Sequence, residues 1–481
     1  MPFPFVLSTT SHLSFQQNFT SSTHPSLPSG ATEQRNILRS ALKAHKRLSS
    51  SDKPATLVEV LSALTSYLKY LGTIDLALSG ESISDEDVDV ALVKEVELEW
   101  RPTLSSNVIP GRDADRVRGQ GLDYEFYFAH QTYAVVQNLL ARQALLGLYA
   151  SPVPSAEQRT LFIQSATRYL RTACAIHAFL LHRANSSDGP PELPPAAVDI
   201  SIPIQSALQR LAQAEFNLLN AFKDDPYPAI IVQARNELDR EWMIKAPEIQ
   251  KTRAQVLTRL CVGAAEHAAG ASATLKAEGK RVSKDLVEYV DDLRRTARAR
   301  ACRFQAIDAA DTRYETGKGI AWIYAALSEL GMEINTKDGN SKQSTLSKFK
   351  IALQERKEEK RLTKGSARWG SDGGKAEEVR ILEYLERKMT KSNDTLHFQK
   401  VPEWKTLLAT LPSGMNMPLG NETWKAPTLS ENELVQMRAP PEHDAITQDS
   451  SGDEDQNEKR DAKGPAGAFP GTQGEYNDSY Y

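Results

Sequence analysis

The chain contains few cysteines and no long apolar run. Both features limit the classes of protein to which it can belong. Among 481 residues there are three cysteines. Cys174, Cys261 and Cys302 are too far apart for a CxxC pair or another metal-ligand spacing, so we interpret them as small buried hydrophobic residues of a reducing compartment. No segment reaches the ~18 consecutive apolar residues of a membrane-spanning helix, and the start of the chain lacks the basic region of a secretory signal. The sequence therefore predicts a soluble, cytoplasmic protein.

Motifs for catalysis and metal binding are missing as well. There is no HExxH zinc motif, no ExxH pair of the di-iron bundles and no GxSxG nucleophile motif. The segment Gly370–Ala376 approaches a phosphate loop, but it is one residue short of GxxxxGK and has alanine where the metal-binding serine or threonine should be. We therefore predict no enzyme activity, no cofactor and no metal.

The charge of the chain is nearly balanced, since 58 basic and 62 acidic residues give a formal net charge of −4. That balance argues against bulk nucleic-acid binding. Two basic clusters stand out nevertheless. One would form a cationic helix face from Arg294, Arg295, Arg298 and Arg303, and the other lies between Lys348 and Lys364. Each is either a solvated helix face or a contact with an acidic lipid surface or an acidic partner segment.

Apolar residues at helical spacing dominate the chain from Thr32 onward. Thr32 is expected to cap a first helix that ends near Leu48, and Ser155 to cap a helix that ends near Arg183. Further helices are predicted over Leu57–Leu71, Tyr124–Tyr149, Ser206–Lys223 and Glu377–Met389, with three more between residues 228 and 331. Alternation over Phe5–Phe19 predicts one or two short strands. The fold class is thus mainly α, a stack of helical hairpins with a small N-terminal β element.

The helix Ser206–Lys223 carries the most informative pattern, SALQRLAQAEFNLLNAFK. Its apolar residues recur at spacings of three, four and seven, which places most of them on one stripe. Ala212 and Ala214, in the amide-rich centre of the helix, leave room for another helix to pack closely. The pattern indicates a packed helix within a helical scaffold that binds other proteins.

The C-terminal third changes character more than once. Thr336–Thr363 is rich in lysine and glutamate and is expected to be a solvated helix or a mobile connection. Asn393–Pro427 is expected to be extended and held by three aromatic anchors, Phe398, Trp404 and Trp424. The acidic end of the chain has too few apolar residues to offset the entropy of ordering. We predict a helical domain over residues 1–435 and a disordered acidic tail over residues 436–481.

Several segments together resemble the Bro-type domain of Alix, PalA and the yeast Bro protein. Glu125–Tyr149 resembles the long central helix of that family, Ala166–Leu180 the helix that follows, and Gly317–Leu330 a later one. Leu211–Glu215 is similar to the family's LAQAQE string but lacks its second glutamine, and Asn393–Pro402 resembles its NDfIYhe.VP segment. Order and spacing agree over about residues 1–430. The coiled-coil V-shaped region and the proline-rich tail of Alix and PalA have no counterpart in this sequence.

The resemblance implies a curved, boomerang-like stack of helical hairpins with a core like that of tetratricopeptide repeats. It also implies a non-enzymatic adaptor of fungal alkaline ambient-pH signalling. Such an adaptor would dock the C-terminal helix of an Snf-type ESCRT-III subunit in a concave apolar groove and promote proteolytic activation of the transcription factor PacC. It would be cytoplasmic and recruited to plasma-membrane or endosomal sites. A plasma-membrane pH-sensor complex and the membrane surface would be further partners.

The family's binding surface includes the region of the LAQAQE helix, and an amphipathic helix in a groove needs exposed apolar side chains there. Ile204, Leu208 and Leu211 are therefore our candidates for partner binding. The alternative is that all three are core residues that hold the helix in place. Two other functions stay open: a generic helical-repeat scaffold in endosomal sorting, against which the missing repeat period argues, and an enzyme, which a deep polar pocket with several titratable groups would support.

Overall fold

The computed structural model describes residues 2–84, 86–106, 113–149, 154–186, 191–228, 251–332, 334, 370–419 and 423–439. Thr336–Thr363 and residues 440–481 of the predicted tail lie outside these ranges. Within them the α-helices are α1 (Phe15–Asn18), α2 (Leu27–Arg47), α3 (Leu57–Leu78), α4 (Leu122–Leu146), α5 (Ala156–Ala184), α6 (Ile202–Lys223), α7 (Lys251–Ala277), α8 (Lys284–Ile307), α9 (Thr316–Glu329), α10 (Lys375–Ser392), α11 (Trp404–Leu408) and α12 (Glu431–Val435). Short 3-10 turns occupy Lys53–Thr56, Gly147–Tyr149, Val198–Ile200 and Gly279–Arg281, and π turns occupy Asp308–Thr312 and Asn393–His397.

Consecutive long helices pack side by side. Helix α2 packs on α3, α4 packs on α5, and each helix from α5 to α8 packs on the next one in the chain. Helix α10 then packs against α8 and α9. This arrangement confirms the predicted mainly α fold of helical hairpins. Cys174, Cys261 and Cys302 are all buried and free, as expected for small core residues.

The β structure is small and draws on two distant parts of the chain. β1 (Phe19–Thr20) pairs antiparallel with β2 (Ala91–Leu92), and β3 (Glu97–Trp100) pairs antiparallel with β4 (Val117–Gln120). An isolated bridge joins Thr10 to Trp100. The predicted N-terminal β element is therefore present but short, because much of Phe5–Phe19 is irregular or belongs to α1. Its partners come from the connection between α3 and α4.

Two helix starts show when a capping signal decides the boundary. Ser155 caps α5 as predicted: its side chain accepts the Gln158 N–H at 3.2 Å, and the Gln158 side chain accepts the Ser155 N–H at 2.9 Å. Thr32 does not cap α2, which begins earlier, at Leu27, with Pro28 in its first turn. The Thr32 hydroxyl instead donates to Pro28 O at 2.8 Å and accepts the Phe15 N–H at 2.9 Å, so it fastens α1 to α2.

Helix α3 continues to Leu78, although the sequence pattern predicts its end at Leu71, just before Gly72. A Cβ on Gly72 would lie 2.3 Å from Pro427 O, so glycine serves close packing there rather than termination. The C-terminal segment runs across α3 at this point, and the Leu429 N–H donates to Thr73 Oγ1 at 2.9 Å. Contacts continue to Ala439, whose N–H donates to Thr23 O at 2.7 Å.

A buried carboxylate joins the N-terminal helices to the β structure. Glu125 of α4 is fully buried and accepts four hydrogen bonds. Arg35 of α2 donates two of them, at 2.9 and 3.1 Å, Tyr67 of α3 donates one at 2.7 Å, and the Trp100 indole of β3 donates one at 2.6 Å. Arg35 also donates to Thr10 Oγ1 at 2.7 Å. Four elements and the N-terminal segment therefore meet at one side chain.

A second buried charge cluster corrects the predicted cationic face. Arg303 of α8 is fully buried. It donates to Glu378 of α10 at 2.6 Å and to both carboxylate oxygens of Asp225, at 2.5 and 3.2 Å. Arg298 pairs with Glu329 of α9 at 2.9 Å. The prediction of one solvated face is wrong for Arg303, which connects α10 and the segment just after α6 to α8.

Candidate functional site

The structure buries all three side chains that the sequence analysis proposed for partner binding. Ile204 is 0% exposed, and Leu208 and Leu211 are each 2% exposed. A docking side chain must be accessible to its partner, so these positions offer no binding surface in this structure. The three leucine and isoleucine side chains hold α6 between its neighbours, which agrees with the alternative interpretation as core residues.

The same stripe of α6 opens into a cavity further along the helix. Continuing at spacings of four, three and four, the stripe reaches Glu215, Leu218 and Phe222. These three residues line a partly open cavity of about 60 Å³. Leu148 of the 3-10 turn after α4 and Leu170 of α5 also line the cavity. A space of this size holds a few water molecules or the end of one side chain.

Opposite charges stand beside these apolar walls and neutralise each other. Arg300 of α8 donates to Glu378 at 3.0 Å and lies 3.8 Å from a carboxylate oxygen of Glu377. The Tyr149 hydroxyl donates to the other oxygen of Glu377 at 2.6 Å. Burial and the Glu377 carboxylate raise the pKa of Tyr149 well above its ordinary value, so the phenol stays protonated. This side of the cavity is polar but internally paired.

Glu215 contributes a carboxyl group that is only half satisfied. The side chain is buried, with 5% exposed. Its Oε1 accepts the Tyr289 hydroxyl at 2.6 Å and the Phe3 N–H at 3.2 Å, whereas its Oε2 has no hydrogen-bond partner among the described residues. Burial raises the pKa of Glu215 to about 7, against the opposing effects of the Tyr289 hydrogen bond, the charge of the N-terminal amino group and the Phe3 hydrogen bond. We therefore expect Glu215 to change charge near neutral pH.

We expect the stability of the wild type to fall between about pH 5 and pH 7 relative to that of Glu215→Gln. The ordinary carboxyl pKa of 4.5 rises to about 7 in the folded state. In this window the folded state binds the extra proton, so its free energy of unfolding decreases as pH rises. The full difference is about 3 kcal/mol above pH 7, at 1.36 kcal/mol per pKa unit. Urea unfolding of both proteins across this range measures it, and parallel pH profiles would contradict the assignment.

The amide side chains at the centre of α6 hold another part of the chain. Asn217 accepts the Met417 N–H at 3.0 Å, and Gln213 donates to Met417 O at 3.3 Å. On α7, a Cβ on Gly263 would lie 2.4 Å from Met415 O, so glycine lets this segment approach. Gln213 and Leu218 are about 140° apart around the helix. The chain itself therefore covers one side of α6, and the cavity lies on another.

The three predicted aromatic anchors do not behave alike. Trp424 packs against Phe179 and His130, with ring centroids 4.9 and 5.5 Å apart, and Trp404 packs partly buried against the core. Phe398 is 76% exposed and has a φ of +50°, so the prediction is wrong for this residue. The segment before it, Asn393–His397, forms a π turn and is not extended as predicted.

The part of the chain that the structure describes lacks both a membrane-spanning helix and a metal-binding cluster. There, no helix combines the length and the apolar character needed to cross a bilayer. The same residues contain no group of three histidine, cysteine or acidic side chains placed to hold a metal ion. The second basic cluster, between Lys348 and Lys364, lies outside the described ranges, so its contact with lipid stays a prediction.

Comparison with known proteins finds a similar sequence among curated proteins and similar folds among solved structures. No family model matches the sequence. The chain is 40% identical over 510 aligned positions to the pH-response regulator protein palC of Emericella nidulans, covering 98% of this chain and 99% of that one.

Solved structures show the fold. ALIX in complex with the SIVmac239 PYKEVTEDL late domain is similar over 92% of this chain and 52% of its own, with 14% identity and a TM-score of 0.52. The complex of ALIX BRO1 with CHMP4C is similar over 90% and 96%, with 14% identity and a TM-score of 0.49. The ALIX likeness with the higher TM-score supports a Bro-type fold, as the sequence resemblance implied.

Proposed function

Because the chain belongs to the family of the pH-response regulator protein palC, we propose that it is a non-enzymatic adaptor of alkaline ambient-pH signalling. The proposed partner is the C-terminal helix of an Snf-type ESCRT-III subunit. Binding would promote the proteolytic activation of the transcription factor PacC. The adaptor would work in the cytoplasm and be recruited to plasma-membrane or endosomal sites, where a pH-sensor complex would be its upstream partner.

The observation that carries the docking proposal is the cavity on the apolar stripe of α6. An amphipathic helix binds through apolar anchors at spacings of three and four, which enter pockets with polar edges. Leu148, Leu170 and Leu218 provide the apolar wall, and the paired charges of Arg300 and Glu377 provide a polar edge. One leucine-sized anchor would lose its hydration there and gain close contacts.

The arrangement favours binding over catalysis. The hydroxyl of Tyr149 is already engaged with Glu377, and Arg300 is engaged with two carboxylates. The polar groups of the cavity thus pair with one another and stabilise its wall. The curated relative is named a regulator, in agreement with this view. The alternative of a generic scaffold in endosomal sorting differs only in the identity of the docked helix.

Phe222→Asp is expected to weaken binding of the ESCRT-III helix peptide at least tenfold. Phe222 lines the cavity and is partly exposed, so a carboxylate there would meet the apolar side of the docked helix and remove a large contact. Calorimetric titration of the full chain with the peptide measures the dissociation constant, and circular dichroism checks that the helices are retained.

Val58→Asp is the matched control, because Val58 is an apolar residue on α3 that is 62% exposed and does not line the cavity. It should bind the peptide like the wild type. Equal affinities of Phe222→Asp and Val58→Asp would place the docking surface elsewhere. No binding by the wild type at high micromolar peptide would overturn the ESCRT-III assignment itself.

A further inference from the structure

Helix α2 carries a row of cations on its solvent side. Arg39, Lys43 and Arg47 are four residues apart, which places them on one side of the helix at intervals of about 6 Å along its axis. Arg39 and Lys43 are partly exposed, and Arg47 is exposed. A fourth cation, Arg116, comes from the segment just before β4 and donates to Thr10 O at 3.3 Å. We call these four cationic side chains the α2 basic row.

The charges of the α2 basic row act on one another and are not neutralised by the described residues. Desolvation, and after it the charges of the other three cations, lower the pKa of Lys43. None of the four forms an ion pair with a carboxylate that the structure describes. The nearby carboxylate of Asp113 is already paired with Lys46 and lies 3.7 Å from Arg101. Asp115 is exposed and has no ion pair among the described residues.

The stability of α2 does not account for this row. Like charges four residues apart destabilise a helix, so three of them in succession oppose its formation. The helix dipole favours a cation in the last turn, which explains Arg47 at the end of α2 but not Arg39 or Lys43. Residues 107–112, which precede β4 in the chain, contain no acidic residue. A positive surface that costs stability and lacks counter-charges indicates a negatively charged partner.

The spacing of the row indicates the shape of that partner. Alternate side chains of an extended chain point to one side and are about 6.6 Å apart, close to the ~6 Å between successive cations on α2. Carboxylates at alternate positions can therefore meet the row in register, and arginine binds carboxylates bidentately. Asn36 and Ser40 lie on the same side of α2, within about 100° of Arg39 around the helix. Their side chains can hydrogen-bond the backbone of an extended peptide.

A bilayer fits this surface less well than a peptide does. A helix that lies on a membrane buries an apolar face beside its basic residues. The large exposed apolar side chain of α2, Ile37, is 46% exposed, but it lies about 160° from Arg39 around the helix. A bilayer in contact with the basic row would therefore not reach it. These positions favour a charged peptide in water over a lipid surface.

We propose that the α2 basic row binds an extended acidic segment of a partner protein, with aspartate or glutamate at alternate positions. Three successive carboxylates of that segment would pair with Arg39, Lys43 and Arg47, and Arg116 would neutralise a neighbouring negative charge. No residue of α2 lines the cavity on α6. The proposal is therefore independent of the docking of a helix at that cavity, and it gives the adaptor a second interaction surface.

Synthetic peptides test the proposal without knowledge of the partner. A fluorescein-labelled peptide of four aspartates alternating with four threonines is titrated with the full chain at low ionic strength, and fluorescence anisotropy gives the dissociation constant. It should bind more tightly than a peptide of the same composition with its aspartates in one block, because only alternate side chains of a block face the row. At about 1 M salt, where the Debye length is ~3 Å, binding should be largely lost. No binding of the alternating peptide, or equal affinities for the two peptides, would overturn the proposal.

Charge-matched variants locate the binding surface. Arg39→Gln/Lys43→Gln should weaken binding of the alternating peptide about tenfold. The control Arg168→Gln/Arg171→Gln removes the same charge from exposed positions of α5 and should bind like the wild type. Arg39→Lys/Lys43→Arg keeps the charge and should keep most of the affinity, which separates loss of charge from a change in the fold.

Two results of these titrations would overturn the assignment. Equal weakening by the two glutamine variants would show that net charge, and not the α2 basic row, decides the affinity. Vesicles of phosphatidylcholine with phosphatidylserine serve as the lipid probe in a sedimentation assay. If the vesicles bind the wild type but not Arg39→Gln/Lys43→Gln, and the alternating peptide binds neither protein, the row contacts a membrane instead of an acidic peptide.

Discussion

Replacing Glu125 with alanine is expected to lower the free energy of unfolding by about 3–5 kcal/mol. The substitution leaves the Arg35 guanidinium buried without its carboxylate and strands the hydrogen-bond donors of Tyr67 and Trp100. An uncompensated buried charge is far more costly than the loss of an exposed pair. Urea unfolding followed by circular dichroism measures the change.

Glu433→Ala provides the matched control for Glu125. Glu433 also forms an ion pair, with Lys69 at 3.1 Å, but both side chains are more than one third exposed. Exposed pairs contribute about 0–1 kcal/mol, so this variant should unfold close to the wild type. A shift of Glu125→Ala no larger than that of Glu433→Ala would show that the buried cluster is not a stabilising centre of the fold.

Arg303→Met is expected to cost a comparable amount, about 3–5 kcal/mol. The variant keeps the aliphatic volume but leaves the carboxylates of Asp225 and Glu378 buried next to each other without their shared cation. We expect α10 to loosen first, since Arg303 connects it to α8. Hydrogen exchange of α10 amides, measured together with the unfolding midpoint, tests both statements.

The control for this variant lies on the same helix. Arg298 forms a partly exposed pair with Glu329, and its side chain is 38% exposed. Arg298→Met should therefore change the unfolding free energy by about 1 kcal/mol or less. If the two methionine variants are equally stable, the burial of Arg303 has no special energetic weight.

The arginines of α8 show what the sequence could and could not predict. Arg294 and Arg303 are nine residues apart, which is half a turn at 100° per residue. The spacing therefore argues against one cationic face, and helical arithmetic could have separated Arg303 from the others. Its partners could not be foreseen in this way, because Asp225 and Glu378 come from elements that are distant in the chain.

Local signals predicted the helices well where the deciding contacts are local. The Ser155 cap is fixed by Gln158, three residues away, and α5 begins where expected. The predictions for the start of α2 and the end of α3 are wrong. Thr32 accepts a hydrogen bond from Phe15, and Gly72 makes room for Pro427, so neither residue marks a boundary of its own helix. Packing across the chain decided both boundaries.

In the candidate site too, the sequence predicts the local pattern but not the contacts between distant parts of the chain. The spacing on α6 identified a continuous stripe, and Leu218 and Phe222 belong to it. Periodicity gives the direction of a side chain but not its neighbours, so it could not tell that Leu208 is covered whereas Phe222 is partly open. The cavity also needs walls from α4, α5, α8 and α10, and no local pattern in the sequence joins these elements.

The hydrogen bond between Thr73 and Leu429 has a consequence for how the chain matures during translation. The two residues are 356 positions apart. At 5–20 residues per second, a ribosome needs roughly 20–70 s to cover that interval. The surface of α3 around Gly72 therefore stays exposed until the segment around Leu429 has been synthesised. A transcript with a premature stop before this point would release a product whose first helices never receive their cover, and quality-control factors that recognise apolar surface would have a defined target.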